Sequence, residues 1–311
     1  MNKGLVSKTT GKWYKVRTAA GDIIDCRLRG NFRIKGIKST NPIAVGDIVR
    51  FEIQSTDDTG LITEVEERRN CIIRRSTKLS RQTHIIATNI DQACLVATLG
   101  FPRTSTGFID RFLVTAEAYH VPCILVFNKI DLYNKELIDY QNSIAEVYRN
   151  AGYRCIGVSA TQHTNIDELH RLIDGKTTLF AGHSGVGKSA LLNALSPDLG
   201  LKIGDVSLFS MKGKHTTTFA ELFPYGNGYI IDTPGIKEFG MVDFSKSEIS
   251  HFFPEMKALL HNCRFANCTH EHEPGCAVKQ AVEQGVISDF RYTNYLNILN
   301  GREMDIEEWQ K

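Results

Sequence analysis

The first 70 residues alternate short apolar and polar positions, and turn-forming residues separate the runs. The pattern predicts strands over 13–18, 23–28, 48–54 and 60–65, with a tight turn leading into a strand at 45–49. Evenly spaced short strands are typical of a small barrel, and such a turn occurs in oligonucleotide-binding folds. Another small β-module would give a similar pattern, so the strands alone leave the type of module open.

From about residue 90 the pattern changes to continuous apolar runs that alternate with amphipathic stretches. We expect strands over 93–99, 123–127, 154–158 and 177–181, and helices from about Ile109, over 137–150 and over 166–173. This alternation is typical of an α/β fold with a doubly wound, mostly parallel sheet covered by helices. After about residue 240 the chain is predicted to be helical around a cluster of cysteines.

Length and composition indicate more than one folded unit, because 311 residues with 42% hydrophobic content exceed one small domain. No apolar run reaches the roughly 18 residues that cross a bilayer, and the first residues lack the apolar stretch of a secretory signal. We therefore expect a soluble, cytoplasmic protein without a membrane partner.

The net charge of +2 hides an uneven distribution along the chain. Residues 1–80 carry 16 Lys and Arg against 9 Asp and Glu, a difference of +7. This excess favours RNA or single-stranded nucleic acid as the partner of the first module, where Trp13, Tyr14 and Phe32 could stack on bases. We interpret residues 68–84 as a basic linker, and its cations are Arg68, Arg69, Arg74, Arg75, Lys78 and Arg81.

Residues 182–189 fit the phosphate-binding pattern G-x-x-x-x-G-K-[ST] between a predicted strand and a predicted helix over 190–195. They are Gly182, His183, Ser184, Gly185, Val186, Gly187, Lys188 and Ser189. The glycines let backbone N–H groups surround phosphates, and the start of the helix adds its positive dipole end. We expect Lys188 to reach the outer phosphates and Ser189 to bind Mg²⁺. A glycine-rich turn without ligand is the alternative.

A second motif, at residues 128–131, follows a predicted strand and selects the base. The Asp131 carboxylate can accept the ring N–H and the exocyclic amine of guanine together, which adenine cannot match. Asn128 would hold the ring and the loop, and the aliphatic part of the Lys129 side chain would cover the ring face. Ile130 separates Lys129 from Asp131 in the motif. Ser159 and Ala160, after the next strand, are placed to offer a backbone N–H to the guanine carbonyl. Alone, such a motif is usually a solvated turn.

A third motif, at residues 232–235, follows the apolar strand predicted at 229–231. Asp232 would hold Mg²⁺, often through water, and the Gly235 N–H would sense the γ-phosphate. A polar loop that includes 213–218 is a candidate switch whose threonine completes the Mg²⁺ shell. We choose Thr217, with Thr216 and Thr218 as alternatives. An exposed strand entry without a role in Mg²⁺ binding is the other explanation of the threonines.

The order of these motifs differs from that of ordinary GTPases, in which the phosphate loop comes first and the base-reading loop last. Here the base-reading loop comes first, so the core is circularly permuted. A permutation can leave a sheet intact when the old termini lie close together on the surface. It joins the motif at 232–235, which would act as the second switch, directly to the C-terminal residues, which therefore can respond to the bound nucleotide.

With this permuted core, a basic barrel in front and a cysteine cluster behind, the chain closely resembles the ribosome small-subunit-dependent GTPase A family, also called RsgA or YjeQ. The resemblance covers nearly the whole chain. It implies an oligonucleotide-binding (OB) fold on ribosomal RNA, GTP hydrolysis to GDP stimulated by the small ribosomal subunit, and a role in late maturation of that subunit. The expected domains are the OB-fold at 1–70, a linker at 71–84, the GTPase domain at 85–240 and a helical zinc-binding domain at 241–311, in a monomer.

Hydrolysis needs a group that orients the attacking water, and Ile236 stands where many GTPases have a glutamine. An alkyl side chain cannot orient water. The resemblance points to His215 instead. Lys188 and Thr217, assigned above from their motifs, are the other predicted catalytic residues. An exposed loop histidine without such a role is the alternative.

Cys263, Cys268, His270 and Cys276 lie within 14 residues and offer three thiolates and one imidazole. This donor set suits tetrahedral Zn²⁺, and four protein ligands would make the site structural. The spacing also matches the zinc module of the family. His272 is a competing imidazole, and a coincidental cluster of thiols is the other alternative. The remaining cysteines are scattered among mostly apolar neighbours and are predicted to pack in the core: Cys26, Cys71, Cys94, Cys123 and Cys155.

Two other functions remain possible on the sequence. The chain could be an RNA-binding module that holds nucleotide as a structural ligand, and Ile236 gives this alternative weight. An ATP-dependent kinase is disfavoured by Asp131 and by the absence of a recognisable acceptor site.

Overall fold

The computed structural model describes residues 2–28, 42–54, 58–75, 83–201, 220–233 and 245–302. Within these ranges the chain forms a small barrel, a central sheet with helices, and a C-terminal helical module. No helix in the described ranges has the length and apolar character to span a membrane.

The N-terminal barrel is built from β1 (Asn2–Thr9), β2 (Tyr14–Thr18), β3 (Ile23–Leu28), β4 (Ile48–Ile53) and β5 (Gly60–Val65). Strand β1 pairs with both β2 and β4, and β5 joins β3 to β4, so the sheet closes on itself. Alternate side chains fill the interior, among them Val6, Val16, Phe51 and Ile62. The predicted barrel is confirmed, and β1 is an additional strand.

One of the proposed base-stacking residues is unsuitable for that role. Tyr14 is only 4% exposed and belongs to the barrel core, and burial raises the pKa of its hydroxyl. Trp13 is half-buried, whereas Phe32 lies outside the described residues. The expectation for Tyr14 was therefore wrong, because a side chain one position along a strand faces the opposite side of the sheet.

The predicted turn at 45–49 joins the barrel to the rest of the chain. Gly46 has φ +92°, and a side chain there would meet the Thr88 carbonyl. The next residue, Asp47, is fully buried and accepts hydrogen bonds from Arg68 at 2.6 and 2.7 Å, and from the Thr88 hydroxyl at 2.8 Å. This buried ion pair fixes the barrel against the following segment.

Two short strands, β6 (Cys71–Arg75) and β7 (Thr83–Thr88), pair antiparallel at the two ends of the segment interpreted as a basic linker. Their apolar residues Ile72, Ile86 and Ala87 pack into the core of the central domain. The domain boundaries at 70 and 84 stay predictions.

The central sheet has the strand order β10–β9–β8–β11–β13–β12, and only β12 is antiparallel to its neighbour. Its strands are β8 (Gln92–Ala97), β9 (Cys123–Phe127), β10 (Arg154–Gly157), β11 (Thr177–Gly182), β12 (Glu221–Tyr225) and β13 (Gly228–Asp232), and its helices are α1 (Thr106–Ala118), α2 (Lys135–Asn150), α3 (Ile166–Ile173) and α4 (Lys188–Leu195). Strands β8 and β9 are buried along their whole length, because apolar clusters lie on both faces of the sheet. The predicted doubly wound, mostly parallel sheet is confirmed.

The C-terminal module, residues 245–302, contains α5 (Pro254–Lys257), α6 (Ala277–Glu283) and α7 (Asp289–Leu299). It packs on α1 through an apolar cluster and a buried polar network. Asp110 of α1 accepts hydrogen bonds from Arg291 at 2.5 Å, Asn294 at 2.6 Å and Tyr148 at 2.8 Å, and Arg291 also binds Glu255. The module therefore shares one packed interface with the central domain.

Candidate nucleotide site and metal centre

The sequence motifs meet at the carboxyl edge of the central sheet. In the strand register, Gly182 lies beside Val96, Phe127 lies beside Ala97 and Gly157, and Asp232 lies beside Phe180. The phosphate loop, residues 128–131, Ser159 and Asp232 therefore follow neighbouring strand ends, where doubly wound sheets bind ligands. The order of the motifs along the chain leaves the edge of the sheet continuous.

The phosphate loop leaves β11 and enters α4, as the pattern predicts. Gly185 and Gly187 have φ of +85° and +86°, a left-handed conformation that a side chain would strain. A side chain at Gly187 would also lie 2.6 Å from Nδ2 of Asn128. Val186 between them is buried and anchors the loop in the core, whereas Ser184 is exposed. In the same loop, the His183 ring lies 3.6 Å from the Phe108 ring of α1.

Hydrogen bonds connect the base-reading loop, residues 128–131, directly to the phosphate loop. Asn128 is 1% exposed, and its Nδ2 donates to the Val186 carbonyl at 2.9 Å. Lys129, with φ +65°, donates from Nζ to the Gly185 carbonyl at 2.7 Å, and burial lowers the pKa of its ammonium group. The buried Oδ1 of Asn128 has no hydrogen-bond partner among the residues that the structure describes. This acceptor is thus left for a ligand beside the loop.

Asp131 lies at the rim of the same edge, in a short helical turn that begins at Ile130. Its Oδ2 accepts a hydrogen bond from the Thr161 hydroxyl at 3.1 Å, and Ser159 Oγ lies 3.1 Å from the same hydroxyl. Ser159 is fully buried, whereas Ala160 is partly exposed. Asp131, Ser159 and Ala160 therefore share one side of the site.

Sequence reasoning missed two residues that support this loop. Thr161 orients Asp131, and Tyr133 accepts from the Leu99 N–H at 2.7 Å and donates to the Asn128 carbonyl at 3.1 Å. The position of Thr161 directly after Ser159 and Ala160 was the only available signal. Nothing in the sequence indicated that the Tyr133 hydroxyl turns back to the strand ends.

Lys188 and Asp232 face each other beneath the phosphate loop. Their side chains are 7% and 1% exposed, and the Lys188 ammonium group donates to the Asp232 carboxylate and to the Thr233 carbonyl. Thr233 is held in turn by a 2.8 Å hydrogen bond to the Phe180 carbonyl. Ser189, next to Lys188, is partly exposed in the first turn of α4. A hydroxyl, an ammonium group and a carboxylate thus share one small region, which suits phosphates with Mg²⁺.

Several predicted site residues lie outside the described residues. They are Gly235, Ile236, His215, Thr217 and the alternatives Thr216 and Thr218. Their roles stay predictions.

The predicted metal ligands come together in the C-terminal module. One donor atom from each of Cys263, Cys268, His270 and Cys276 lies within 4.8 Å of the others. Nδ1 of His270 lies 3.3 Å from Cys276 Sγ and 3.7 Å from Cys263 Sγ, so this nitrogen faces the thiols. Burial lowers the pKa of His270, which favours the neutral form that binds metals. The donor set fits a closed tetrahedral Zn²⁺ site.

The competing histidine points elsewhere. The His272 side chain is 87% exposed, and its Nε2 lies 3.6 Å from the Glu271 carboxylate. It is not among the four residues of the metal cluster. His270 is thus the imidazole that the cluster contains.

Aromatic hydroxyls and a carboxylate hold the loop that carries His270. Tyr292 and Tyr295 of α7 donate to the His270 and Thr269 carbonyls, each at 2.6 Å. Glu273 accepts at 2.7 Å from both the backbone N–H and the hydroxyl of Thr269. Burial alone would raise the pKa of Glu273, but these hydrogen bonds outweigh it and bring the pKa to about 2. The loop is therefore fixed from two sides.

The sequence matches one family of known proteins over nearly the whole chain. Family models described as RsgA GTPase and RsgA N-terminal domain match residues 65–242 and 3–62. A relative from Bacteroides thetaiotaomicron, named small ribosomal subunit biogenesis GTPase RsgA 2, is 54% identical over 302 residues, 97% of either chain. The corresponding GTPase of Flavobacterium johnsoniae is 52% identical, over 96% of this chain and 93% of that relative.

Solved structures give the same result. The crystal structure of YjeQ from Thermotoga maritima superimposes with a TM-score of 0.76 at 34% identity, covering 96% of this chain and 98% of that one. YloQ, described as a circularly permuted GTPase, gives 0.73 at 33% identity, covering 97% and 94%. The resemblance drawn from the motifs is confirmed, and this chain belongs to the RsgA family of circularly permuted GTPases.

Proposed function

We propose that this protein hydrolyses GTP to GDP and phosphate when the small ribosomal subunit stimulates it, and that it acts late in the maturation of that subunit in contact with its RNA. The names of its relatives support a role in small-subunit biogenesis. One observation supports nucleotide binding most strongly: Asn128 and Lys129 bind the carbonyls of the phosphate loop at 2.9 and 2.7 Å. Base reading and phosphate binding then occur at one joined site.

Guanine recognition rests on Asp131. Thr161 occupies one lone pair of Oδ2, and a carboxylate has further lone pairs for the ring N–H and the amine of guanine. Oδ1 of Asn128 is the acceptor without a partner among the described residues, so it remains for the ligand. The stem of Lys129 covers one ring face, and Ser159 and Ala160 offer a backbone N–H to the guanine carbonyl. Gly182, His183, Ser184, Gly185, Val186, Gly187, Lys188 and Ser189 surround the phosphates.

The triphosphate binds together with Mg²⁺, which neutralises charge on the β- and γ-phosphates. Ser189, Thr217 and Asp232 hold the ion, and the Gly235 N–H senses the γ-phosphate. Lys188 contacts Asp232 in this structure. On binding, Lys188 exchanges the Asp232 carboxylate for the phosphates, and Asp232 becomes available as a ligand.

His215 orients the attacking water, because the alkyl side chain of Ile236 cannot. Neutral imidazole accepts a hydrogen bond from water, and the switch loop brings His215 close when the protein docks on the small subunit. The free enzyme then hydrolyses GTP slowly, and the enzyme docked on the small subunit hydrolyses it fast.

We assign a structural Zn²⁺ to Cys263, Cys268, His270 through Nδ1, and Cys276. The 4.8 Å limit on their mutual distances supports this assignment. The protein acts as a monomer, in the cytoplasm, where ribosomal subunits are assembled.

A second candidate is an RNA-binding protein that holds GTP or GDP without hydrolysing it. Ile236, in the place of a water-orienting glutamine, is the observation that favours it.

Release of phosphate from GTP separates the two candidates. The rate is measured for the free protein, with purified small subunits and with purified large subunits. We expect slow release by the free protein and a strong increase with small subunits alone. His215→Ala should lower the stimulated rate without changing GTP affinity. A rate that small subunits leave unchanged would favour the second candidate.

A further inference from the structure

A cavity of about 550 Å³ lies at the amino edge of the central sheet, opposite the nucleotide site. The first residues of β8, β9 and β10 line it, together with Lys176 just before β11. Its walls come from residues at the ends of α1 and α2 and from Pro254 of the C-terminal module. This volume is typical of sites that bind small molecules. The cavity therefore lies where two folded units meet, away from the motifs that the proposed function uses.

Three charged side chains line this cavity without partners of opposite charge. Glu117, Arg154 and Lys176 form no ion pair within the described part of the chain. The Lys176 ammonium group donates to two neutral acceptors, Oε1 of Gln92 at 3.1 Å and the Leu172 carbonyl at 3.3 Å. Glu117 and Lys176 are partly buried, and a charge withdrawn from water is stabilised by an opposite charge. These groups are thus suited to a charged ligand.

The order of the strands sets the spacing of the three charges. Arg154 begins β10 and Lys176 precedes β11, and strands β9 and β8 lie between them. Neighbouring strands are about 4.8 Å apart, so the two backbone positions are about 14 Å apart. Glu117 is in the last turn of α1, the helix that joins β8 to β9, so it lies between the two cations. The edge therefore presents positive, negative and positive charge in turn.

Neutral groups fill the space between the charges. Val121, Pro122 and Ile124 give the cavity an apolar surface. Tyr153 also lines it, and the buried Tyr153 hydroxyl has no hydrogen-bond partner in the ranges that the structure describes. A polar ligand group beside this hydroxyl would supply the partner. An apolar wall with a few polar groups is the arrangement that orients a small ligand.

We propose that this cavity binds a short free peptide whose first residue is acidic. The α-ammonium group pairs with Glu117, and the acidic side chain and the C-terminal carboxylate pair with Arg154 and Lys176. Three extended residues span about 10 Å, and a glutamate side chain extends the peptide toward the second cation. A ligand with anionic groups alone would face Glu117, and a ligand with cationic groups alone would face two cations. The bound peptide also contacts Pro254 of the C-terminal module.

Calorimetric titration of the full-length protein with the tripeptide glutamyl-alanyl-alanine tests the site. Three matched peptides each lack one charge: the N-acetylated tripeptide, its C-terminal amide, and glutaminyl-alanyl-alanine. Each should bind about tenfold more weakly than the parent peptide, because each loses a hydrogen bond between charged groups. No saturable binding of the parent peptide at millimolar concentration, or equal affinity of all four peptides, would overturn the proposal.

Glu117→Gln separates the ammonium contact from a general effect on folding. The variant should bind the parent peptide about tenfold more weakly. It should bind the N-acetylated peptide as the unchanged protein does, because that peptide already lacks the pair. Glu146→Gln alters an exposed carboxylate on α2 outside the cavity and should leave all affinities unchanged. Equal losses for both peptides in Glu117→Gln would exclude the pairing and overturn the site.

Nucleotide tests the location of the site. Saturating GDP should not displace the peptide, since the two sites lie at opposite edges of the sheet. Bound peptide should slow hydrogen exchange in residues 120–124 and 151–154 and leave the phosphate loop unchanged. Displacement by GDP, or protection confined to the phosphate loop, would place the peptide in the nucleotide site and overturn the proposal. None of these measurements depends on GTP hydrolysis, so their failure is distinguishable from failure of the proposed function.

Discussion

Gly187 is the residue at which the base-reading loop and the phosphate loop meet. Its φ of +86° favours glycine, and the 2.6 Å approach of Asn128 Nδ2 leaves no space for a side chain. The same close approach lets Asn128 bind the neighbouring carbonyl of Val186. Gly187 therefore allows the base-reading loop and the phosphate loop to approach closely enough to form hydrogen bonds.

Asp131→Asn should change which nucleotide binds. The amide cannot accept both guanine donors, but it offers the donor that the extra carbonyl of xanthine requires. Because hydrogen bonds to a charged group contribute about 1.5–3 kcal/mol each, GTP affinity should fall about 100-fold or more. Xanthosine triphosphate should bind better than GTP in competition with a fluorescent nucleotide.

The matched control is Asp139→Asn, which alters an exposed carboxylate on α2. It should leave both affinities unchanged. If Asp131→Asn kept its preference for GTP, guanine selection by Asp131 would be wrong.

Asp91 gives a prediction about pH. Burial alone would raise the pKa of Asp91, but hydrogen bonds from the Thr177 N–H and from Arg69, both at 2.8 Å, lower it overall. A lowered folded-state pKa stabilises the protein fully above the ordinary value of 3.8, and the contribution is lost as the pH falls from that value through the lowered pKa of Asp91. Asp91→Asn should therefore unfold more readily in urea at pH 7 than the parent protein, and the two should converge once the pH lies below that lowered pKa. A difference that persisted in acid would exclude ionisation as its source.

At the scale of single residues, the sequence predicted the groups whose chemistry is tied to a motif. Asp131, Lys188 and Asp232 all lie at the predicted edge of the sheet. Thr161 and Tyr133 could not be predicted, because their roles depend on hydrogen bonds that form only when distant loops pack. The same limit applies to Tyr14, whose aromatic character suggested stacking although its strand turns it inward.

At the scale of elements, α1 lies between the phosphate loop and the C-terminal module. Phe108 contacts His183 on one side, and Asp110, two residues further on, binds Arg291 on another. Residues two positions apart face nearly opposite sides of a helix. Helix α1 thus joins the nucleotide site to the module that carries the metal cluster.

Arg291→Met should destabilise the protein strongly. Arg291 is 1% exposed and binds the Asp110 and Glu255 carboxylates, so its loss leaves buried negative charge without a cation. We expect a loss of about 3–5 kcal/mol in the free energy of unfolding, measured with urea. Arg264→Met, which alters an exposed arginine of the same module, should cost far less. Similar losses in both variants would contradict the role of the buried network.

Some elements escaped the sequence analysis for physical reasons. Strand β12 contains Pro224, which cannot donate to a ladder and usually argues against a strand. Strand β6 carries Arg74 and Arg75, so its composition favoured a linker, although Ile72 is fully buried. Helix α1 begins at Thr106, before the predicted start, because Ser105 accepts the Phe108 N–H at its N-cap. Continuous apolar strands such as β9 were predicted with the observed bounds.

At the scale of the whole molecule, the circular permutation places the C-terminal module directly after the last strand of the central sheet. Strand β13 ends at Asp232, and the described part of the module resumes at Ser245. The module then returns to α1 through Arg291 and Asn294. It is therefore connected to the nucleotide site by the chain and by packing.

Chelation of zinc should unfold the C-terminal module while leaving much of the central sheet folded. Zn²⁺ would tie the four side chains Cys263, Cys268, His270 and Cys276 together, and the free energy of binding a structural metal is also free energy of folding. After treatment with a strong chelator, hydrogen exchange should accelerate in α6 and α7 and remain slow in β8 and β9. Unchanged exchange after measured metal loss would exclude a structural role for the metal.

Strand β12 lies next to β1 of the barrel, with Lys8 beside Glu221 in register and a 2.7 Å ion pair between their side chains. The barrel thereby shields an edge strand whose backbone groups could otherwise pair with a second molecule. A chain that lacks residues 2–65 should consequently aggregate as its concentration rises, which light scattering can follow. Besides any role with RNA, the barrel would then keep the protein from assembling with copies of itself.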